Sequence, residues 1–290
     1  MSWFVTRRFL ARGLRPKSRL PLEPWPFATW ILLAMAALLA MGLTAGAAQS
    51  VGGVRVIDEP FDDGLRLSVV NSNLAAITLT LNVTGDNAKP DKRMPLVVTC
   101  PGHGRFPFVV LKPARAGRSF NYRVRYDWQF GATAARHSSS LVYDLPFAAG
   151  QKFRVVQGYH GNFTHTGNDE YAVDFGMPEG TPVHAAREGI VEVVVDRYTE
   201  GGVDPNLRDF ANFVLVRHAD GTYGEYVHLQ KGSVRVHPGD RIRAREMIGY
   251  SGNTGYSQGP HLHFAVFRAL DGVRRETFRV RFRTLDGDTL

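Results

Sequence analysis

Phe213-Val-Leu-Val-Arg-His218 runs through Ala219-Asp-Gly221 into Tyr223-Gly-Glu-Tyr-Val-His228. Two alternating runs on either side of an Asp-Gly pair are a strong hairpin signal. The pattern extends in both directions. Upstream, Val191, Val193 and Val195 are interleaved with Glu192 and Val194; downstream, Pro260-His-Leu-His-Phe-Ala-Val-Phe267 is another apolar run. Residues 147–275 therefore read as one strand-rich domain with an antiparallel sheet, and residues 201–210 read as a loop within it. Residues 276–290 read as a C-terminal tail.

Further upstream, residues 50–146 show the same period of two. Leu65, Leu67 and Val69 alternate with Arg66 and Ser68. Ile77, Leu79, Leu81 and Val83 alternate with Thr78, Thr80 and Asn82. Tyr122, Val124, Tyr126, Trp128 and Phe130 alternate with Arg123, Arg125, Asp127 and Gln129. Side chains two apart on a strand share a face, so each run offers one face to a core and one to water. Several short strands separated by loops such as residues 85–90 predict a β-sandwich-like domain. The expected fold is all-β. The 30 Gly and 16 Pro break the chain often and leave little room for long helices.

The first 48 residues differ from the rest. Arg7, Arg8, Arg12, Arg15, Lys17 and Arg19 stand against Glu23, a net of +5 out of the chain's +8. Residues 27–43 follow, FATWILLAMAALLAMGL, without a charge. A basic stretch before an apolar one reads as an export signal or an uncleaved signal anchor, with residues 45–47 a small-x-small cleavage site. Either way the expected location of the body is exported: periplasmic, cell-envelope or membrane-anchored and facing outward, the apolar segment being a possible membrane tether. Arg7-Arg8 fits a twin-arginine signal only with a one-residue shift, so a generic basic region reads equally well. The body is mildly basic but has no clustered Lys/Arg stripe, so nucleic acid is not an expected partner. Cys100 is the single cysteine; it lies in an apolar run and reads as a buried thiol.

Five residues carry chemistry. His261 and His263 flank Leu262, so on a strand both imidazoles share a face while Leu262 and Phe264 face the core. His228 ends its hairpin strand. Asp174 lies inside the apolar run Tyr171-Ala-Val-Asp-Phe175, where an unpaired carboxylate is costly and calls for a cation or strong donors. His165 lies nine residues earlier, in a loop able to fold back to Asp174. Two histidines and one carboxylate form a common catalytic zinc set that leaves a fourth position open. No His-Glu-x-x-His helix is present. His103, His137, His184, His218 and His237 read as structural or exposed.

With these residues assembled, residues 150–270 resemble the lysostaphin- and LytM-like zinc endopeptidases of peptidase family M23. Three stretches carry the likeness: residues 172–191 (AVDFGMPEGTPVHAAREGIV), residues 212–229, and residues 248–264 (IGYSGNTGYSQGPHLHF). The resemblance implies Zn2+ held by His165, Asp174 and His263, with His228 and His261 as catalytic histidines. It also implies a peptidoglycan peptide as substrate. Many members place a histidine four residues before the aspartate, where this chain has Glu170. His160 and Glu170 are thus rivals to His165. The resemblance leaves open a non-catalytic activator of cell-wall amidases on the same fold. A third reading, a metal-binding adaptor that recognises its partner through the sandwich, has no positive support in residues 50–145. The sequence assigns neither the bond cut nor the oligomeric state.

Overall fold

The computed structural model describes residues 2–9 and 53–283. The apolar stretch 27–43 and the cleavage site at 45–47 lie outside them, and among the described residues no helix is long and apolar enough to cross a membrane. Within the expected leader, Ser2–Phe9 forms a strand antiparallel to Phe120–Phe130. Without those residues Phe120–Phe130 would be an edge strand.

The first region is a sandwich of two four-stranded sheets. One has the order Ser2–Phe9, Phe120–Phe130, Ile77–Thr84, Leu96–Cys100; the other has Val54–Phe61, Gly64–Asn71, Gly104–Pro113, Ala88–Pro90. The alternation predicted this. Phe120, Tyr122, Val124, Tyr126 and Trp128 are buried along their strand while most residues between them face out. They pack with Leu65, Leu67, Val69, Leu79, Leu81 and Leu111 into one core. Cys100 is buried in it, and burial pushes its thiol up to about 11. Residues 85–90 are not all loop: Ala88–Pro90 pairs with Gly104–Pro113.

The second region is built on an antiparallel sheet ordered Arg154–Gln157, Val173–Gly176, Leu262–Ala269, Tyr223–Val227, Phe213–Arg217, Gly189–Val195, Arg241–Ile242, with Arg275–Thr277 also on Leu262–Ala269. The predicted hairpin closes as read: Phe213–Arg217 pairs with Tyr223–Val227, and Gly221 takes the left-handed conformation in the turn (φ +82°). One face carries Phe175, Met177, Tyr226, Leu262, Phe264 and Val266 into the main core. Residues 201–210 are more ordered than a loop, with a two-residue strand and the 3-10 helix Pro205–Phe210.

Residues 276–290 were expected to be a tail, and the described part is not one. Arg281–Phe282 pairs in parallel with Val142–Tyr143, and Val280 and Phe282 are buried in the main core. Tyr143 and Phe147 belong to the same core, so the second region begins before residue 147. This short, distant pairing has no periodicity to betray it.

The two regions meet on the other face of the sheet. Ala75 packs there with Leu215, Tyr223 and Phe267, against Phe130 and Phe213. Polar contacts pin the same seam: Gly272 N–H donates to Thr80 Oγ1 (2.9 Å), and Arg268 donates to the Ala135 carbonyl (3.1 Å).

Candidate metal centre

Strand register does most of the assembly. Asp174 lies directly opposite His263, and His263 opposite Val227, so the carboxylate and one imidazole share a row on one face. His165 arrives from the loop before Val173–Gly176. Its Nδ1 lies 2.9 Å from the Gly158 carbonyl, which only accepts, so Nδ1 carries the proton and Nε2 is left with a lone pair. That Nε2 is 3.1 Å from Asp174 Oδ1, and His263 Nδ1 is 2.9 Å from the same oxygen. His165, Asp174 and His263 offer ligand atoms within 4.8 Å of one another.

His228 follows its strand with φ +66°, a conformation uncommon outside glycine. Continued alternation would send its side chain into the core with Tyr226; the left-handed residue turns it to the opposite face. Nδ1 then donates to the Thr254 carbonyl at 2.6 Å. Glycines let the 252–255 loop come that close. A Cβ on Gly252 would meet Gln230 N at 2.6 Å, and one on Gly255, itself at φ +83°, would meet Ala211 Cα at 2.8 Å. Asn212 fastens the surroundings. Its side chain accepts from the amides of Arg197 and Tyr198 and donates to the carbonyls of Tyr198 and Leu229, all within 3.1 Å. His261 donates Nδ1–H to the Gly259 carbonyl (2.7 Å), and its Nε2 faces Asp174 Oδ1 at 3.8 Å. The rings of His228 and His261 are 4.5 Å apart.

Burial, with the nearby His261 and His263, lowers His228 to about 3; burial also lowers His261, against the pull of Asp174. Both are neutral near pH 7. Burial alone would raise Asp174, but the imidazoles of His165 and His263 against its Oδ1 outweigh it and hold the carboxylate well below its usual range. Burial opposes a charge on His263, yet Asp174 prevails and raises it.

The residues fit a zinc ion. His165 Nε2 is fully buried and, despite its closeness to Asp174, has no hydrogen-bond partner. An orphaned buried acceptor costs about 1–3 kcal/mol, which a cation would offset. The donor set of two imidazoles and a carboxylate suits zinc.

The five expected residues thus converge, and the rivals do not. His160 and Glu170 pair with each other, Nδ1 to Oε1 at 3.1 Å, both about half exposed. The cleft around the cluster has a volume of about 770 Å³. Phe163 and Arg208 pack on Tyr256 at its rim, and none of its lining comes from residues 53–145. Sequence reasoning passed over three charges in its floor: Asp169, Glu225 and Arg275. One signal was available for Glu225, which shares a strand face with the buried Tyr223.

Residues 168–275 match peptidase family M23. Among similar proteins, glycyl-glycine endopeptidase ALE-1 of Staphylococcus capitis is 43% identical over 100 residues, 34% of this chain and 24% of that protein. The DD-carboxypeptidase/endopeptidase Mpg of Neisseria meningitidis is 35% identical over 100 residues, 34% of this chain and 20% of that one. The match therefore spans about a quarter or less of these relatives' length. The catalytic domain of lysostaphin from Staphylococcus simulans is 29% identical, with 43% of this chain and 88% of that domain aligned and a TM-score of 0.32. The family match lies within the second region and spans Asp174, His228, His261 and His263.

Proposed function

We propose that the protein is a zinc-dependent endopeptidase that hydrolyses peptide cross-links of bacterial peptidoglycan. The observation that carries this reading is the meeting of His165 Nε2 and His263 Nδ1 on one oxygen of Asp174, with His228 and His261 beside them. The relatives named for glycyl-glycine and DD-endopeptidase activity support the substrate class.

Zinc held by His165, Asp174 and His263 would supply a Lewis acid for a peptide carbonyl and would make water a better nucleophile. The chain's own residues do the rest. His228 and His261 are neutral, with Nδ1 protons fixed on backbone carbonyls, so each presents an unprotonated Nε2. One takes a proton from the attacking water; once protonated, either stabilises the developing oxyanion and returns a proton to the leaving amine. Buried Thr254 and Asn212 hold the loop that keeps His228 in place.

Export also belongs to this proposal, on the basic lead and the apolar stretch 27–43. If the basic end remains in the cytoplasm, Ser2–Phe9 cannot also pair with an exported Phe120–Phe130. N-terminal sequencing of the mature protein separates a cleaved leader from a retained tether.

The test is zinc content of the full-length protein together with hydrolysis of purified peptidoglycan, directly cross-linked and glycine-bridged in parallel. About one zinc per chain and release of cross-links from either wall support the proposal. Failure to take up zinc, even when it is supplied, overturns the enzyme reading and favours a non-catalytic activator.

A further inference from the structure

His165 is the one metal-ligand candidate that no sheet register places. Eight residues separate it from Asp174, and a loop of that length does not fix a ligand atom without anchors. The anchor in this chain is Arg275. Its backbone N–H donates to Asn168 Oδ1 (3.1 Å), its Nε to the Asn168 carbonyl (3.3 Å), and its guanidinium to the Asp169 carboxylate. Asn168 answers by donating to the Val273 carbonyl (3.0 Å). Two residues further on, Thr277 Oγ1 accepts from Tyr171 N–H at 3.0 Å. The whole turn Gly167–Asp169 is thereby stitched to the strand Arg275–Thr277.

The other arm of the same guanidinium reaches Glu225 Oε2 at 2.8 Å, on the strand that ends at His228. Glu225 and Asp169 in turn place carboxylate oxygens within 4.8 Å of a ring nitrogen of His263. The guanidinium carbon lies 4.6 Å over the Phe267 ring, which fixes its plane. Behind it a cavity of about 180 Å³ is walled by Trp128 and Phe130 of the sandwich. One mostly buried side chain therefore joins the loop of His165, the strand of His228 and the surroundings of His263.

We propose that Arg275 is the positioning residue of the metal centre, locking the His165 loop to the strand that carries His228 and backing His263. This rests on the zinc reading of the site. Lysine would not substitute, because a single ammonium lacks the fork that spans Asp169 and Glu225.

The experiment is a zinc titration of the full-length protein against a chromophoric chelator, with the absorption spectrum of the cobalt-loaded protein as second readout. R275M combined with E225Q removes one cation and one carboxylate, so the net charge near His263 is unchanged and any weakening reports position. The expected result is about 10–100-fold weaker zinc binding and an altered cobalt spectrum. R275K should fall between this and wild type, and R274A, which breaks only an exposed pair with Asp271, should match wild type. Should the double variant not fold, N168A cuts the same turn from the strand without touching a charge, and a several-fold loss is expected, up to about tenfold. A folded double variant, or a folded N168A in its place, with wild-type zinc affinity and cobalt spectrum overturns the proposal. A wild-type protein that binds no zinc overturns the metal reading first, and that result appears before any substitution is made.

Discussion

The two halves of this molecule are written in the same alternating code and are put to opposite uses. In the sandwich, every departure from alternation is small. Its buried polar side chains are Ser68, Asn71 and Thr78, and no Asp, Glu, His, Lys or Arg of residues 53–145 is buried. In the second region His165, Asp174, Glu192, His218, His228 and His263 are all buried. The sandwich is a core with two polar skins. The second sheet has one apolar face and one divided face, covered by the sandwich at Leu215, Tyr223 and Phe267 and open as a cleft at Asp174, His263 and Val227. Ionisable residues inside strand patterns mark where the alternation has been given over to chemistry.

The comparison breaks most visibly in the cluster itself. D174N should abolish zinc uptake and reduce hydrolysis by roughly three orders of magnitude or more, because it removes the only anionic ligand candidate of the set. H261A should keep the zinc and still lose about 10²–10⁴ in rate. Zinc analysis and wall-hydrolysis assays on both variants check this. If H261A lost zinc as completely as D174N, the division between ligands and proton carriers would be wrong.

The converse substitution lies in the sandwich. Leu79 is fully buried, and L79A should destabilise by about 2–5 kcal/mol through lost burial and the cavity left behind. Denaturant unfolding measures the cost. Under native conditions zinc stoichiometry should stay at the wild-type value, since the cleft is lined only by the second region. Loss of zinc in a folded L79A would show the two halves to be one functional unit.

The same contrast explains how far the sequence could be read. Alternation set out most of the strands, the Asp-Gly hairpin and the shared side of His261 and His263, because these are local and periodic. Asp174 was legible because an acid within an apolar run needs a partner. The choice among His160, His165 and Glu170 was not legible from spacing, since all three lie within fourteen residues of Asp174; only the fold shows that His160 and Glu170 satisfy each other. Arg275 was invisible for a related reason. Its partners Asn168, Asp169 and Glu225 are distant in sequence, and nothing in the run Arg274-Arg275-Glu276 sets one arginine apart from the other. The pairing of Arg281–Phe282 with Val142–Tyr143 joins the two ends of the second region through two residues each and left no trace of period.

A smaller effect tests the loop behind His228. Asn212 is fully buried and makes four hydrogen bonds with its side chain. N212A orphans the amides of Arg197 and Tyr198 and the Tyr198 carbonyl, while the Leu229 carbonyl keeps Thr254 Oγ1, and should cost about 1–3 kcal/mol in stability. It should also lower the hydrolysis rate without lowering zinc content, because the side chain it removes holds Leu229, the neighbour of His228, and no ligand. Thermal melts beside zinc analysis would check this.

The smallest predicted effect is a pH dependence confined to the second region. His218 is fully buried, and burial lowers its pKa from 6.5 to about 4. Its hydrogen bond to the Glu188 carbonyl and the charges of Asp220 and Glu188 oppose that shift, while Arg187 reinforces it. A lowered folded-state value means that below pH 6.5 the unfolded chain binds the proton and the folded one does not. The neutral ring's contribution is therefore complete above 6.5 and is lost as pH falls toward 4. The slope is at most about 1.4 kcal/mol per pH unit. H218N keeps a donor for the Glu188 carbonyl and removes the titration, so its stability should fall less than wild type between pH 6.5 and 5.5. His228, lowered to about 3, titrates over part of the same range in both proteins, and the difference between them isolates His218. Parallel curves for the two would mean that the folded protein admits a proton at His218, and that this buried histidine sits as easily in its core as the neutral side chains do in the sandwich.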